Sequence, residues 1–307
     1  MKVIISILYK TLLYTAPVWV FYFYLEYRLS HIENSYSYKI RNFKVIEADC
    51  ELLVFGNSQM LKGINPDFLP ANAYNMANVS QTLPLDEAIL KQYISRLPRL
   101  KTVVIGLCYT SFGEDLETGE EAWRLSFYKK YYGVSIHNKF ELKEYSNTLR
   151  YMPYESLKMC LKNFKVDLIK GYQPNGWLKV DGTDSFKNTG EWARQRALLH
   201  TKSLNDINIA KNVNALKNIV RLLTKEHIEI VLVSPPVQSN YYRNLSTYWL
   251  AKNDSILGTI TKQYGLKLLD FSKAESNEFI NGFNDADHLN KHGAELLSRK
   301  IWKSVSE

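Results

Sequence analysis

The chain has 307 residues, 46% hydrophobic and 23% charged, with a formal charge of +8. This length and apolar content describe a globule able to bury a sizeable core and exclude a disordered chain. The lysines and arginines are spread without a long basic block, and no helix-turn-helix, RNP-type or zinc-finger spacing occurs, so nucleic acid is not an expected partner. The basic balance suits an anionic lipid or an anionic glycan.

Residues 3–25, "VIISILYKTLLYTAPVWVFYFYL", carry a single charge, Lys10. About 20 apolar residues in an α-helix cross the hydrocarbon layer. Lys10 can snorkel to the interface with Lys2, and Trp19, Tyr22 and Tyr24 cluster toward the other end as interfacial aromatics do. Pro17 is compatible with a spanning helix. The reading is a membrane anchor over residues 1–28, with the N-terminus inside and the remainder extracytoplasmic, in the periplasm or at the cell surface. The segment "EYRLSHIE" offers no small-x-small cleavage site, which favours a retained anchor. A packed apolar helix is the alternative.

Residues 29–48 read as a polar connector. Apolar runs at 51–56, 72–77, 101–107, 228–236 and 266–271 are strands, and the continuous run "ELLVFG" is typical of a strand covered on both faces. Helical periodicity marks 86–97, 206–226, 246–264 and 294–305, with Asp86 and Glu87 placed to complement a helix dipole in the first of these. Strands alternating with helices predict an α/β fold, a three-layer α/β/α arrangement around a five-stranded parallel sheet of flavodoxin-like type, filling residues 29–307. Residues 110–200 interrupt the rhythm and are rich in tyrosine and tryptophan. A stretch this long is uncommon as a plain loop, so it reads as a mostly helical inserted cap. Its aromatics are assigned to core packing ahead of a sugar platform. Lys158, Lys162 and Lys165 share a helical face that reads as solvated surface.

Cys50, Cys108 and Cys160 form no CxxC and cannot all pair. Cys50 opens one strand and Cys108 closes another, at opposite ends of a parallel sheet, so all three are expected as free thiols. No metal site and no cofactor is expected. His292 follows His288 by four residues, but no third ligand accompanies the pair. His31, His137, His200 and His227 have no readable partner.

Ser58 follows the first strand on a turn opened by Gly56, at the strand end where parallel α/β sheets bind ligands. It fits either a helix N-cap or a nucleophile. Near the other end of the chain, "NDADHLNKHGAE" places Asp285 and His288 three residues apart before the last helix. This spacing lets the Asp285 carboxylate take the Nδ1 proton of His288 and leaves Nε2 free as a base. A capping turn is the plainer reading of that pair. Asp287, adjacent to His288, should point elsewhere.

The order Ser58, Asp285, His288, with Asp-x-x-His near the C-terminus, resembles the SGNH (GDSL-type) hydrolase superfamily over roughly residues 48–109 and 205–307. The nucleophile block reads Gly56-Asn57-Ser58. In the second block, "YNMANVSQT", Ser80 stands where the superfamily has an oxyanion-hole glycine, and Asn75 is either a site residue or a brace for the loop. The third block, Gly106-Leu107-Cys108-Tyr109, lacks the expected asparagine, whose loss elsewhere costs about 3 to 4 kcal/mol of transition-state stabilisation. The resemblance implies Ser58 as nucleophile, His288 as base and then acid, Asp285 as its orienter, and the N–H groups of Ser58 and Ser80 as oxyanion donors. Cys108, Tyr109 and Arg124 are the further substrate-side candidates, a surface salt bridge being the plainer reading of Arg124. Anchor, insert and weakened third block look most like the membrane-tethered branch of alginate O-acetylation and teichoic-acid D-alanylation proteins.

The expected function is therefore a membrane-anchored O-acyl esterase or acyltransferase, acetyl by analogy, acting on a cell-surface polysaccharide. Its expected partners are an acylated polysaccharide or acyl donor, membrane lipid around the anchor, and a membrane O-acyltransferase. The alternative is an inactive SGNH-fold component that binds glycan or assembles a polysaccharide export system. A dinucleotide site is a distant third, since Gly56-Asn57-Ser58 lacks the necessary glycine spacing.

Overall fold

The computed structural model describes residues 2–70, 72–136, 140, 142–150, 158–163, 167–184, 187, 189–272 and 277–306. His137, Lys165 and the aromatic run at 151–157 lie outside the described residues. Five strands form one parallel sheet: β1 Leu52–Phe55, β2 Ala73–Asn75, β3 Thr102–Gly106, β4 Glu229–Ser234 and β5 Lys267–Asp270, in the order β2-β1-β3-β4-β5. Leu52 aligns with Ala73 on one side and Thr102 on the other; Val103 aligns with Ile230, and Val231 with Lys267. The chain leaves β1 for β2 on one side and returns to β3 on the other. That reversal opens a crevice beyond the carboxyl ends of β1 and β3.

Alternate residues of each strand face opposite layers, as the two-residue repeat requires. Leu53, Phe55, Val103, Ile105 and Leu232 pack into a core shared with Ile40, Phe43, Leu85, Ile89, Leu216 and Leu223. These partners come from three helices: α2 Ser35–Ile46, α4 Leu83–Tyr93 and the long Ile209–Lys225 helix. Leu52, Val54, Val104 and Val231 pack on the other face with Met60, Leu61, Leu297 and Ile301. There the cover is α3 Ser58–Gly63 and the C-terminal helix Lys291–Ser306. The sheet is thus covered on both faces, which explains strands that are continuously apolar.

The polar connector is a misreading. Residues 35–46 are α2, started by Asn34, whose side chain accepts the Tyr36 and Ser37 N–H groups while Ser37 Oγ accepts the Asn34 N–H. Tyr36, Ile40 and Phe43 do follow helical spacing. Lys39 hides that stripe because it is itself buried, donating to the Ala77 carbonyl. Asp86 does lie in the first turn of α4, but it is buried under the β1 turn and accepts from Gln81 Nε2 at 2.6 Å.

The N-terminal helix α1 Lys2–Ser30 is 29 residues long. At about 1.5 Å per residue it reaches roughly 43 Å, more than a hydrocarbon core needs. It is long and apolar enough to cross a membrane, and none of its most apolar window is buried, so it does not pack along the domain. Near its C-terminal end the Glu26 carboxylate accepts the Asn147 and Thr148 N–H groups at 2.7 and 2.8 Å. Within residues 110–200 the described residues form short helical turns and one longer helix, Gly190–Lys202. Phe127, Tyr128, Tyr132 and Trp177 are buried, so these aromatics serve the core.

Candidate active site

The turn after β1 is shaped by two glycines. Gly56 has φ +131, and a Cβ there would lie 2.8 Å from Met60 Cγ; at Gly106 it would lie 2.0 Å from the same atom. Without side chains at the ends of β1 and β3, Met60 tucks between them and α3 starts immediately beyond β1. Asn57 caps α3, its Oδ1 accepting the Gln59 N–H at 3.0 Å. Ser58 is the first helical residue, and its N–H has no acceptor among the described residues, as expected of a helix N-terminus. Asp86, which sequence reasoning assigned to a helix end, holds this turn from beneath through the Gly56 N–H, and burial pushes its carboxyl up to about 7.

The loop before the C-terminal helix brings the other two groups. Asp285 Oδ1 accepts the backbone N–H of Asp287 at 3.1 Å and of His288 at 2.9 Å, closing a tight turn. His288 Nδ1 lies 2.9 and 3.0 Å from the two Asp285 oxygens, and Nε2 lies 2.9 Å from Ser58 Oγ. Burial alone would raise the Asp285 carboxyl. The His288 hydrogen bond and charge, the Lys62 charge and the Asp287 N–H outweigh burial and hold it well below the usual carboxylate range. Asp285 is therefore ionised, Nδ1 carries the proton, and Nε2 accepts from the Ser58 hydroxyl. This is the geometry of a serine primed by a base. Asp285, Asp287 and His288 also carry ligand atoms within 4.8 Å of one another. However, Asp285 is already occupied by N–H donors, and Nε2 faces Ser58, which is the order of a proton relay.

The remaining sequence candidates divide. Ser80 lines the pocket at Ser58. Its φ of +54 is in the left-handed region that favours glycine, and its N–H has no acceptor among the described residues. Ser80 Oγ donates to Glu121 at 2.6 Å. Cys108 also lines the pocket. Asn57 Nδ2 points at its Sγ from 2.9 Å, and burial pushes the thiol up, so it is uncharged at neutral pH. Tyr109 lines the pocket too, but its hydroxyl is tied to Thr201 Oγ1 at 2.9 Å and to the Ser246 N–H at 3.2 Å.

Two candidates are corrected. Asn75 is fully buried away from the pocket, with Nδ2 donating to the Met60 and Ile64 carbonyls and Oδ1 accepting the Ala77 N–H. It braces the loop after β2. Arg124 does not reach the site: its guanidinium is forked onto Glu121 at 2.6 and 3.1 Å and stacked over Trp123. Through Glu121 it steadies Ser80.

Sequence reasoning missed Arg196, His200 and Glu114, all of which line the pocket. Asp287 is turned to this wall, accepting from Arg196 Nε at 3.3 Å and lying 4.0 Å from His200 Nε2. Tyr241 hydrogen-bonds His200 Nδ1, and burial lowers the His200 imidazole to about 4. Arg196 and His200 lie on the Gly190–Lys202 helix, within a segment whose pattern gave no partner to either. The three cysteines are free thiols. His292 is an exposed helix residue, as are Lys158 and Lys162 on their own turn, and His31 bonds its own helix through the Tyr27 carbonyl at 2.7 Å.

No family model matches this sequence, and no curated protein matches it either. Among solved structures, a protein assigned as an acylhydrolase from Bacteroides fragilis aligns with 88% of this chain and 94% of its own, at 11% identity and a TM-score of 0.43. A lipase/acylhydrolase from Enterococcus faecalis aligns over 83% and 95%, at 11% identity and a TM-score of 0.40. A GDSL-like lipase from Bacteroides thetaiotaomicron aligns over 87% and 98%, at 10% identity and a TM-score of 0.39. At that level of similarity, the reading of the site rests on its own geometry.

Proposed function

We propose that the chain is a serine O-acyl esterase or acyltransferase of the SGNH type, held at the outer face of a membrane by α1 and acting on a cell-surface polysaccharide. The observation that carries this reading is the relay itself, with Ser58 Oγ 2.9 Å from His288 Nε2 and the far ring nitrogen on a buried, ionised Asp285. Ser58 Oγ attacks the acyl carbonyl as its proton passes to Nε2. The carbonyl oxygen becomes an oxyanion beside the N–H groups of Ser58 and Ser80. The tetrahedral adduct collapses, the leaving alkoxide takes the proton from Nε2, and the acyl group stays on Ser58. Water or a sugar hydroxyl then gives its proton to Nε2 and attacks the acyl-serine, and Ser58 recovers its proton.

Replacement of Ser58 by alanine should lower Ser58-dependent hydrolysis of p-nitrophenyl acetate by at least about a thousandfold. Unchanged turnover in Ser58→Ala removes the assignment. The analogy to the membrane-tethered acylation proteins adds a membrane O-acyltransferase as acyl donor; co-purification with that class of protein is its check. A second reading, an inert SGNH-fold component that binds glycan for export, draws on one observation. Cys108 supplies at most a weak S–H donor where a third oxyanion donor would stand.

A further inference from the structure

Residues 140–149 carry a cluster of exposed apolar side chains. Phe140, Leu142, Tyr145 and Leu149 are 72%, 66%, 69% and 38% exposed, and the Phe140 and Tyr145 rings stack with centroids 5.4 Å apart. Single exposed apolar residues are ordinary, but a contiguous group marks a surface that meets something apolar.

This cluster is fastened to the end of α1. Ser146 Oγ accepts the Tyr22 hydroxyl at 2.9 Å and donates to the Glu26 carboxylate, which also takes the Asn147 and Thr148 N–H groups. The apolar run 3–25 is roughly 33 Å long as a helix, close to the ~30 Å of a hydrocarbon layer. Tyr22 and Glu26 therefore stand within about one helical turn of the layer's edge, and they hold residues 146–148 at that level. Lys130 donates to Asn147 Oδ1 and brings an exposed cation to the same level, where anionic headgroups lie.

The backbone of the cluster is prepared to leave water. The Tyr145 and Ser146 N–H groups donate to the Leu142 carbonyl at 3.0 and 3.2 Å. Asn147 and Thr148 donate to Glu26, Leu149 to Ser146 Oγ at 3.2 Å, and Arg150 to the Ser146 carbonyl at 3.0 Å. Every N–H from 145 to 150 is thus satisfied within the protein, so the side chains can enter a headgroup layer without stranding a backbone donor.

We infer that this cluster is a second membrane contact, seated in the headgroup layer of the bilayer that α1 crosses, so that the domain rests on the membrane instead of hanging free from its anchor. Aromatic and aliphatic side chains beside a cation are the composition that interfacial segments use. The inference rests on the anchor reading of α1 in the proposed function.

The experiment places the photocrosslinker p-benzoylphenylalanine singly at Phe140, Tyr145, Tyr14 or Ile207 of the full-length chain, reconstituted in vesicles of equal parts phosphatidylcholine and phosphatidylglycerol. Tyr14, 79% exposed in the middle of α1, reports the anchor, and Ile207, 79% exposed on the domain, reports chance collision. Lipid adducts are measured by mass spectrometry after irradiation. Adduct yields at Phe140 and Tyr145 should exceed that at Ile207 at least tenfold and approach that at Tyr14. Because the probe is itself apolar, Leu142→Glu with Leu149→Glu should cut the Tyr145 adduct at least fivefold; no cut overturns the role of the native side chains. Yields at Phe140 and Tyr145 equal to that at Ile207, with Tyr14 adducts intact, overturn the second contact alone. Protein–protein adducts in place of lipid at those two positions make the cluster an interface between copies and overturn it too. Absence of lipid adducts at Tyr14 overturns the anchor, and the second contact falls with it.

Discussion

Replacing Asp285 by asparagine tests the orienting role without removing a side chain. In the native turn, Oδ1 accepts two backbone N–H groups, from Asp287 at 3.1 Å and His288 at 2.9 Å. Oδ2 faces His288 Nδ1 at 3.0 Å and accepts Asn284 Nδ2 at 3.1 Å. An asparagine keeps its oxygen on the two backbone donors and 2.9 Å from Nδ1, while its NH₂ group takes the place of Oδ2. The Nδ1–H tautomer thus loses one of its two acceptors and the carboxylate charge that favours it, so the ring holds its proton on Nε2 part of the time and accepts less well from Ser58. In a serine protease triad the corresponding change costs about 10⁴ in kcat, or roughly 5 kcal/mol of barrier. The same loss is expected here for Asp285→Asn, with KM changed by less than about threefold. Steady-state kinetics on an activated ester measure both, and far-UV circular dichroism confirms the fold. Retention of more than a tenth of wild-type kcat in Asp285→Asn would show that the carboxylate does not set the tautomer, and the relay argument would fail.

Three further outcomes follow from the same neighbourhood. His200 has its folded value lowered to about 4 by burial, against about 6.5 when unfolded, so between these pH values only the unfolded chain binds the proton. Stability should therefore fall by about 3 kcal/mol as pH drops from 7 to 4, and denaturant titrations of His200→Gln should lack that part of the slope. Because the His200 imidazole is already neutral above about pH 5, the same variant should keep the shape of the wild-type pH–rate profile between pH 5 and 8; a lost acid limb would place the base at His200. Cys108→Asn should raise kcat at least tenfold by adding an oxyanion donor, since one such donor is worth about 3 kcal/mol; no gain would mean that Cys108 does not face the oxyanion.

The sheet was legible because its strands are continuous apolar runs, and burial on both faces leaves no other pattern for β1, β3 and β4. Ser58, Asp285 and His288 were legible because a short turn fixes the Asp-x-x-His geometry locally, and strand ends fix where the serine emerges. α2 was not, because a buried lysine at position 39 breaks the stripe of Tyr36, Ile40 and Phe43. Arg196 and His200 stayed hidden for a different reason. Their partners, Asp287 and Tyr241, are 91 and 41 residues away, and no local pattern encodes a contact across that distance. Arg124 follows its plainer reading, a salt bridge: its partner Glu121 is three residues away, so the cation is spent locally before it can meet a ligand.

The central claim is that Ser58 is an activated nucleophile, and covalent labelling measures that most directly. The full-length chain would be treated with a fluorophosphonate and digested, and the adduct located by mass spectrometry. The relay predicts stoichiometric modification of the peptide that carries Ser58, strongly slowed in His288→Ala and absent in Ser58→Ala. No adduct at Ser58, or labelling that does not depend on His288, would contradict it.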